Sequence, residues 1–377
     1  MSKTISENEK LALIQINAGG YMRADWCNRL IKVFGSACDV IKSSASDISQ
    51  NGAVSIDTAE NFLKEISSID PHNELEKVHK TGGIILTQND DDYPQMLKEI
   101  AQPPVVLYVR GSLETKFANV AIVGTRKPSK YGIRTASMLA SDLSKCSITV
   151  VSGLARGIDS VAHKAVVDLG GITWAVIGTG LGKCYPAENR KLAESIIDKG
   201  GAIVTEFPFD KGPMAFHFPR RNRIIAGLSC LSVVVEGAKR SGALITARLA
   251  LEQGRDVLAV PGQIDEQTSQ GPNLLIRDGA GIVTNALDIV THIPLQYKSL
   301  VKEDALSGCS LAKENCKLEN LSQDESAVLK FVGKDSFSLD DIACKLNWSI
   351  PKVSSILFQL ETKLILVNIA GKYERKL

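Results

Sequence analysis

Aromatic residues make up only 5% of the 377-residue chain, histidine occurs five times, and the formal net charge is +2. So even a balance excludes a global basic field, and any affinity for a polyanion has to come from local patches. The eight cysteines (Cys27, Cys38, Cys146, Cys184, Cys230, Cys309, Cys316, Cys344) include no C-x-x-C pair, and the few histidines supply no zinc-ligand spacing. Reduced, mostly buried thiols and no metal are expected. No run approaches the roughly 20 apolar residues of a membrane span, and the start, MSKTISENEKLALIQINAGG, lacks a basic segment followed by a long apolar core. A cytoplasmic location without a membrane partner follows as an expectation. No G-x-G-x-x-G follows a strand pattern with an acidic residue about 20 positions on, the arrangement a dinucleotide site needs. GTGLGKCYP comes nearest and lacks the third glycine, so no cofactor is expected.

What is present is a globular composition, 44% hydrophobic, in a chain long enough for two or three domains. Residues 1–70 space their apolar positions about a helical turn apart in LALIQI, ADWCNRLIKVF and TAENFLKEI, with NAGG between the first two. From about residue 80 to 292 the texture alternates. Short β-branched runs (VAIVGT, ITVVSG, TWAVIG, AIVTEF, LSVVVEG, DVLAVPG) are each followed by a longer segment, which predicts an α/β domain with a parallel sheet covered on both faces. Helices are expected near 131–144, 159–169, 189–199, 221–226 and 243–252. Residues 293–320 show neither period nor core and read as a linker. In 321–377 three helical patterns precede a hairpin across Ala370-Gly371, a winged-helix arrangement. Ser349 is the candidate N-cap of its third helix, with Val353, Ile356, Leu357 and Leu360 on one face. That helix could enter a major groove or serve protein contacts, since its exposed positions Lys352, Ser354, Ser355 and Gln359 carry little charge.

Parallel sheets bind ligands at the carboxyl ends of their strands. Five loops should meet there: GTRKPSKYG (124–132), SGLARGID (152–159), GTGLGKCYP (178–186), EFPFDKGPMAFHFPRRNR (206–223) and EGAKRSGALITA (236–247). Glycine lets a phosphate approach the backbone, helix-start N–H groups donate to it, and arginine grips it with a planar fork. An exposed phenylalanine offers a face to any base. Phe207 and Phe209 suit the core, while Phe216 and Phe218 suit either core or stacking. His163 reads as a packed helical histidine. Arg220, Arg221 and Arg223 cannot all face one way on a helix, so one should be structural; Arg220 is the expected one, with Arg221 and Arg223 facing a strand and Asn222 positioning the turn.

AIVGTRKPSKYG, VSGLARGIDSVAH, FPRRNRIIAGLS, VVVEGAKRSGALITARLALEQGRDVLAVPG and GPNLLIRDGA occur in order. Through them the chain resembles the bacterial DprA (Smf) family of DNA-processing proteins over about residues 80–285. The resemblance implies an extended Rossmann-like domain flanked by an N-terminal helical domain, SAM-like or helix-hairpin-helix-like, and a C-terminal winged helix. It implies no catalysis, but binding of single-stranded DNA during natural transformation, a homodimer, and loading of the RecA recombinase. By motif, Gly124, Thr125 and Arg126, together with Phe218, Arg221, Asn222 and Arg223, should contact the strand. Ser152, Gly153, Arg156, Lys239, Ser241 and Gly242 supply neighbouring loops. The alternative is a nucleotide-processing enzyme similar to the lysine-decarboxylase-like phosphoribohydrolases. Those use a PGGxGT loop and a glutamate, where this chain has EGAKRSGALITA with Glu236 at its head.

Overall fold

Strands buried on both faces need apolar side chains at successive positions, and the β-branched runs meet that need. A computed structural model describes residues 6–19, 24–114, 118–302, 322–332, 337–362, 366–369 and 372–375. Two compact units, Met1–Leu306 and Ser307–Leu377, divide the chain.

The first unit is built on nine strands: β1 (Gly83–Thr87), β2 (Val106–Gly111), β3 (Asn119–Val123), β4 (Thr149–Ser152), β5 (Thr173–Val176), β6 (Ala202–Thr205), β7 (Leu231–Val234), β8 (Asp256–Ala259) and β9 (Gly281–Ile282). Their order is β1-β2-β6-β5-β4-β3-β7-β8-β9. β2 runs antiparallel to β1 and to β6, and every other neighbouring pair is parallel. Alternation divides each strand between two cores. Val120 and Ile122 join Leu139, Leu143 and Ala162 on one face, and Ala121 and Val123 join Ile224 and Ala247 on the other. This is the α/β architecture expected, with helices Lys130–Lys145, Ile158–Asp168, Arg190–Asp198, His217–Gly227 and Gly242–Glu252 between the parallel strands. From β3 the chain proceeds to β4, β5 and β6 on one side and then returns to place β7 on the other. The carboxyl ends of β3 and β7 therefore flank the point where the winding reverses, where open sheets leave a crevice.

Among the described residues six helices precede the sheet, running from Glu7 to Lys80 and so ten residues beyond the expected limit. Asp70 caps the last, Pro71–Lys80, by accepting from the backbone of His72 and Asn73. Their apolar faces, including Ile14, Leu30, Phe62 and Ile66, pack with Ile85, Val106 and Tyr108 of β1 and β2. NAGG is described only as far as Gly19. At the other end, the expected linker needs correction over its first ten residues. Ile293 is buried, a short helix spans Leu295–Lys298, Tyr297 and Val301 pack on the sheet core, and the Lys302 N–H donates to the Cys146 carbonyl at 3.0 Å. An apolar residue at every fourth position keeps this stretch on the domain. The rest of the linker, with Cys309 and Cys316, lies outside the described residues.

In the second unit, helices Gln323–Phe331, Leu339–Leu346 and Ile350–Thr362 stand with β10 (Phe337–Ser338), β11 (Leu366–Ile369) and β12 (Lys372–Arg375). The strands form an antiparallel sheet in the order β10-β12-β11, which is the winged-helix fold. Val353, Ile356, Leu357 and Leu360 are buried together. Lys352 is bound to Asp324 at 2.9 Å and lies 4.0 Å from the centre of the Trp348 ring. The turn at Ala370-Gly371 lies outside the described residues.

His163 is wholly buried on helix Ile158–Asp168, as a packed histidine should be. Thr173 Oγ1 donates to the Val150 carbonyl at 2.6 Å and so accepts from His163 Nδ1 at 2.7 Å. Burial, aided by the Arg221 charge, pushes the imidazole pKa down to about 3. Between that value and the ordinary 6.5 the unfolded chain binds the extra proton, so stability falls as pH falls through this window, by up to about 1.4 kcal/mol per pH unit. Urea unfolding of the protein and of His163→Asn across pH 4–8 should show this slope in the difference between them. Parallel pH dependences would contradict it.

Candidate nucleic-acid interface

The five loops meet at one cleft of about 810 Å³ along the carboxyl edge of the sheet. Gly124–Lys127 follow β3, Ala155 and Asp159 follow β4, Tyr185 follows β5, Pro213, Met214, Ala215 and Phe218 follow β6, and Ser241, Gly242 and Ala243 follow β7. Three helices open here: Ile158–Asp168, His217–Gly227 and Gly242–Glu252. None has a side-chain cap at its N-terminus. In the first, however, the N–H groups of Ile158 and Ser160 donate to the Thr125 and Ala155 carbonyls at 3.2 Å, and in the second the His217 N–H donates to the Met214 carbonyl at 3.0 Å and Pro219 has no N–H. This leaves the start of Gly242–Glu252 as the one most open to an anion. Helix Lys130–Lys145, by contrast, is closed by Ser129, whose hydroxyl accepts from the Gly132 N–H.

Arg221 forms the floor of the cleft. It is 4% exposed, and its Nη1 donates to the Gly153 carbonyl at 2.6 Å and to the Val176 carbonyl, while Nε donates to Asn222 Oδ1 at 3.2 Å. Asp159 accepts from the Gly153 N–H at 3.1 Å and supplies the counter-charge. Burial lowers the guanidinium pKa to about 10, against the pull of Asp159 and with the help of Arg126, so the group stays charged at neutral pH. Burial in turn raises the Asp159 carboxyl, with Arg221 opposing. The close approach requires glycine at 153, because a Cβ there would lie 2.5 Å from the guanidinium nitrogens.

Above this floor stands an aromatic and cationic cluster. The Phe218 ring has Gly178 on one side, where a Cβ would come within 3.0 Å, and the Arg126 guanidinium 5.3 Å from its centre. Tyr185 lies 5.5 Å from it, tilted by 47°. Arg126 and Lys127 are exposed. Such a group combines charge with flat apolar faces, which suits a phosphate backbone carrying unpaired bases.

The remaining anticipated residues divide. Gly124, Thr125, Arg126, Phe218, Arg221, Asn222, Ser241 and Gly242 line the cleft. Asn222 Nδ2 donates to the Gly242 carbonyl at 3.3 Å, joining helix His217–Gly227 to the start of helix Gly242–Glu252. Ser152 is buried and ties β4 to β3 through the Ile122 carbonyl at 2.6 Å, and Gly153 acts through Arg221. Arg156 is exposed outside the lining and paired bidentately with Glu188 at 2.5 and 2.8 Å. Lys239 is likewise exposed outside the lining.

The expected division among the three arginines is corrected for Arg223. It is 6% exposed, bound to Glu206 at 2.6 Å, and turned away from the cleft. Arg220 binds the same buried carboxylate at 3.0 Å and lies 5.7 Å from the Phe207 ring, with its side chain 25% exposed. The helix starts at His217, earlier than the expected 221, so Arg220 and Arg223, three residues apart, share the face toward Glu206, and Arg221 alone turns to the cleft. Phe207 is core, stacked on His217 at 4.0 Å, Phe209 is partly buried against the N-terminal helices, and Phe216 is 48% exposed. Tyr185 and Asp159 were not singled out by the sequence. The signal for Asp159 was its place in the first turn of a helix facing a cluster of arginines.

The family model for DNA recombination-mediator protein A matches residues 84–294. The chain belongs to that family. The model of the DprA winged helix domain matches residues 313–363. Protein Smf of Escherichia coli is 38% identical over 292 residues, 77% of each chain. DNA processing protein DprA of Streptococcus pneumoniae is 46% identical over 205 residues, covering 54% of this chain and 72% of that one. The crystal structure of the pneumococcal protein superposes with a TM-score of 0.65 at 34% identity, covering 74% of this chain and 96% of the other. DNA processing protein A of Helicobacter pylori, whose structure concerns its single-stranded DNA binding mode, gives a TM-score of 0.50 at 28% identity over 55% and 94% of the two chains.

The seat of Arg221 in this DprA-family domain is directly testable. Gly153→Ala, whose Cβ meets the guanidinium, should lower the unfolding free energy by about 1–3 kcal/mol. Gly212→Ala, with nothing within 4 Å of the new Cβ, serves as control. Urea midpoints that shift no more for Gly153→Ala than for Gly212→Ala would refute the packing described.

Proposed function

We propose that the cleft binds single-stranded DNA with little regard to sequence, as part of natural transformation and recombination. The observation that carries this is the exposed Arg126 guanidinium standing over Phe218 beside Tyr185, at the open crevice of the sheet. A duplex hides its base faces, whereas a single strand offers both bases and phosphates to such a surface. The Helicobacter pylori relative's single-strand binding supports the same reading. The first contacts are Gly124, Thr125, Arg126, Phe218, Ser241 and Gly242, with Arg221 and Asn222 as the polar floor.

Handing the strand to the RecA recombinase, action as a homodimer, and residence in the cytoplasm belong to the same proposal, and the family's description as a recombination mediator supports the first. The protein acts here by binding and not by catalysis. The nucleotide-processing alternative calls on Glu236 as its acid. That carboxylate is 2% exposed and accepts from the Ser129 N–H at 2.9 Å, from its hydroxyl, and from Thr268 Oγ1 at 3.4 Å, outside the cleft lining. Engaged as a helix-capping anchor, it leaves the hydrolase reading without its central group.

Arg126→Ala should weaken binding to a 30-mer of oligo-dT by about 1.5–3 kcal/mol, and should make the plot of log affinity against log salt shallower by about 0.7. The thermal midpoint should stay the same, because the side chain is exposed. Fluorescence anisotropy between 50 and 300 mM salt checks both quantities, and an unchanged affinity with an unchanged slope would remove the proposed site.

A further inference from the structure

Two rings line the cleft, and they are not equally available. Phe218 packs against Gly178, where a Cβ would come within 3.0 Å of the ring, and carries the Arg126 guanidinium over it at 5.3 Å, so a base reaching that face has first to displace a guanidinium. Tyr185 is 38% exposed and lines the same cleft. By contrast Tyr93 and Tyr108 are almost wholly buried.

The loop that carries Tyr185 is braced from both ends. Thr179 Oγ1 donates to the Lys183 carbonyl at 2.6 Å, and the N–H groups of Gly180 and Gly182 donate at 2.9 Å to the carbonyls of Lys211 and Phe209 in the next loop. Past the tyrosine, Asn189 Nδ2 donates to the Leu154 carbonyl at 2.9 Å, fastening the loop to the one after β4. The Phe218 ring supports Tyr185 from the side at 5.5 Å. A ring held at fixed position with one part open loses little conformational freedom when a flat partner settles on it.

We infer that Tyr185 is a base-stacking platform of the strand site, with Phe218 as its buttress and Arg126 beside it for the backbone phosphate. The inference rests on the reading of the cleft as a single-strand site and adds the residue that receives an unpaired base. Stacking on an aromatic side chain is worth roughly 5- to 100-fold in affinity per base. It carries no charge, so its loss leaves the salt slope unaltered.

The test uses the full chain, a 30-mer of oligo-dT, and a 30-mer made wholly of abasic tetrahydrofuran residues. Tyr185→Leu should weaken oligo-dT binding at least about 5-fold while the affinity for the abasic strand and the salt slope stay as they were, and Tyr185→Phe should restore what Tyr185→Leu loses. Photocrosslinking of the unsubstituted chain to an oligonucleotide containing 5-iododeoxyuridine, followed by peptide mapping, should place an adduct on Tyr185, and it gives an answer even if a variant fails to fold. An unchanged affinity in Tyr185→Leu, an equal loss on both strands, or adducts that omit Tyr185 would overturn the inference. Arg126→Ala, titrated alongside, separates the two readings. A loss there without one at Tyr185 sinks the platform alone, and no loss at either position sinks the cleft as well.

Discussion

The buried Arg221 guanidinium holds the rest of the site in place. It reaches from helix His217–Gly227 to carbonyls at the ends of β4 and β5, and those carbonyls are groups a parallel sheet leaves unpaired where its strands end. A charge so deep is costly without partners, and this one has Asp159, two main-chain acceptors and Asn222. Because Asp159 also accepts from the Gly153 N–H, the loop after β4, the helix after β6 and the edge of the sheet form one connected polar unit. Phe218 stands one turn before Arg221 on the same helix, so the position of the aromatic cluster follows from that anchor.

A chain of nearly neutral net charge makes its electropositive site by arranging arginines, not by accumulating them. Of the three guanidiniums in FPRRNR, two face one buried carboxylate, Glu206, and add little to the cleft. Arg221 has Asp159 as its counter-charge. The field a ligand meets therefore comes mainly from Arg126 and Lys127 on the loop after β3 and from the start of helix Gly242–Glu252. Helix termini and exposed arginines are a moderate source of positive potential that salt screens, which fits reversible capture of a strand better than permanent coating of it.

The sheet was legible because its strands need β-branched residues on both faces, a pattern that VAIVGT and LSVVVEG display without reference to anything distant. The five ligand loops were legible for the same reason, since a parallel strand defines its own carboxyl end. The allocation of the arginines was not. It depends on Glu206, 14 and 17 residues from Arg220 and Arg223, and on a helix that begins at His217 behind Phe216, a residue that gives no capping signal. Glu236 and the capping Ser129 meet across 107 positions, so a glutamate that resembled a site acid could be recognised as the anchor of a helix cap only in three dimensions. Tyr185 was hidden by its loop, where a single aromatic between cysteine and proline has no period to reveal which way it points. The stretch after 292 failed to show its helix because only three apolar residues, Ile293, Tyr297 and Val301, carry the contact.

A crevice that receives unpaired bases distinguishes strand forms, and competition between them shows whether it does. A labelled 30-mer of oligo-dT bound to the full chain at 150 mM salt is displaced by unlabelled oligo-dT or by a 30-base-pair duplex. The rings of the cleft gain nothing from a base that is already stacked and paired, so the single strand should compete at least about ten-fold better, a difference near 1.4 kcal/mol. Equal competition by the duplex would contradict the account.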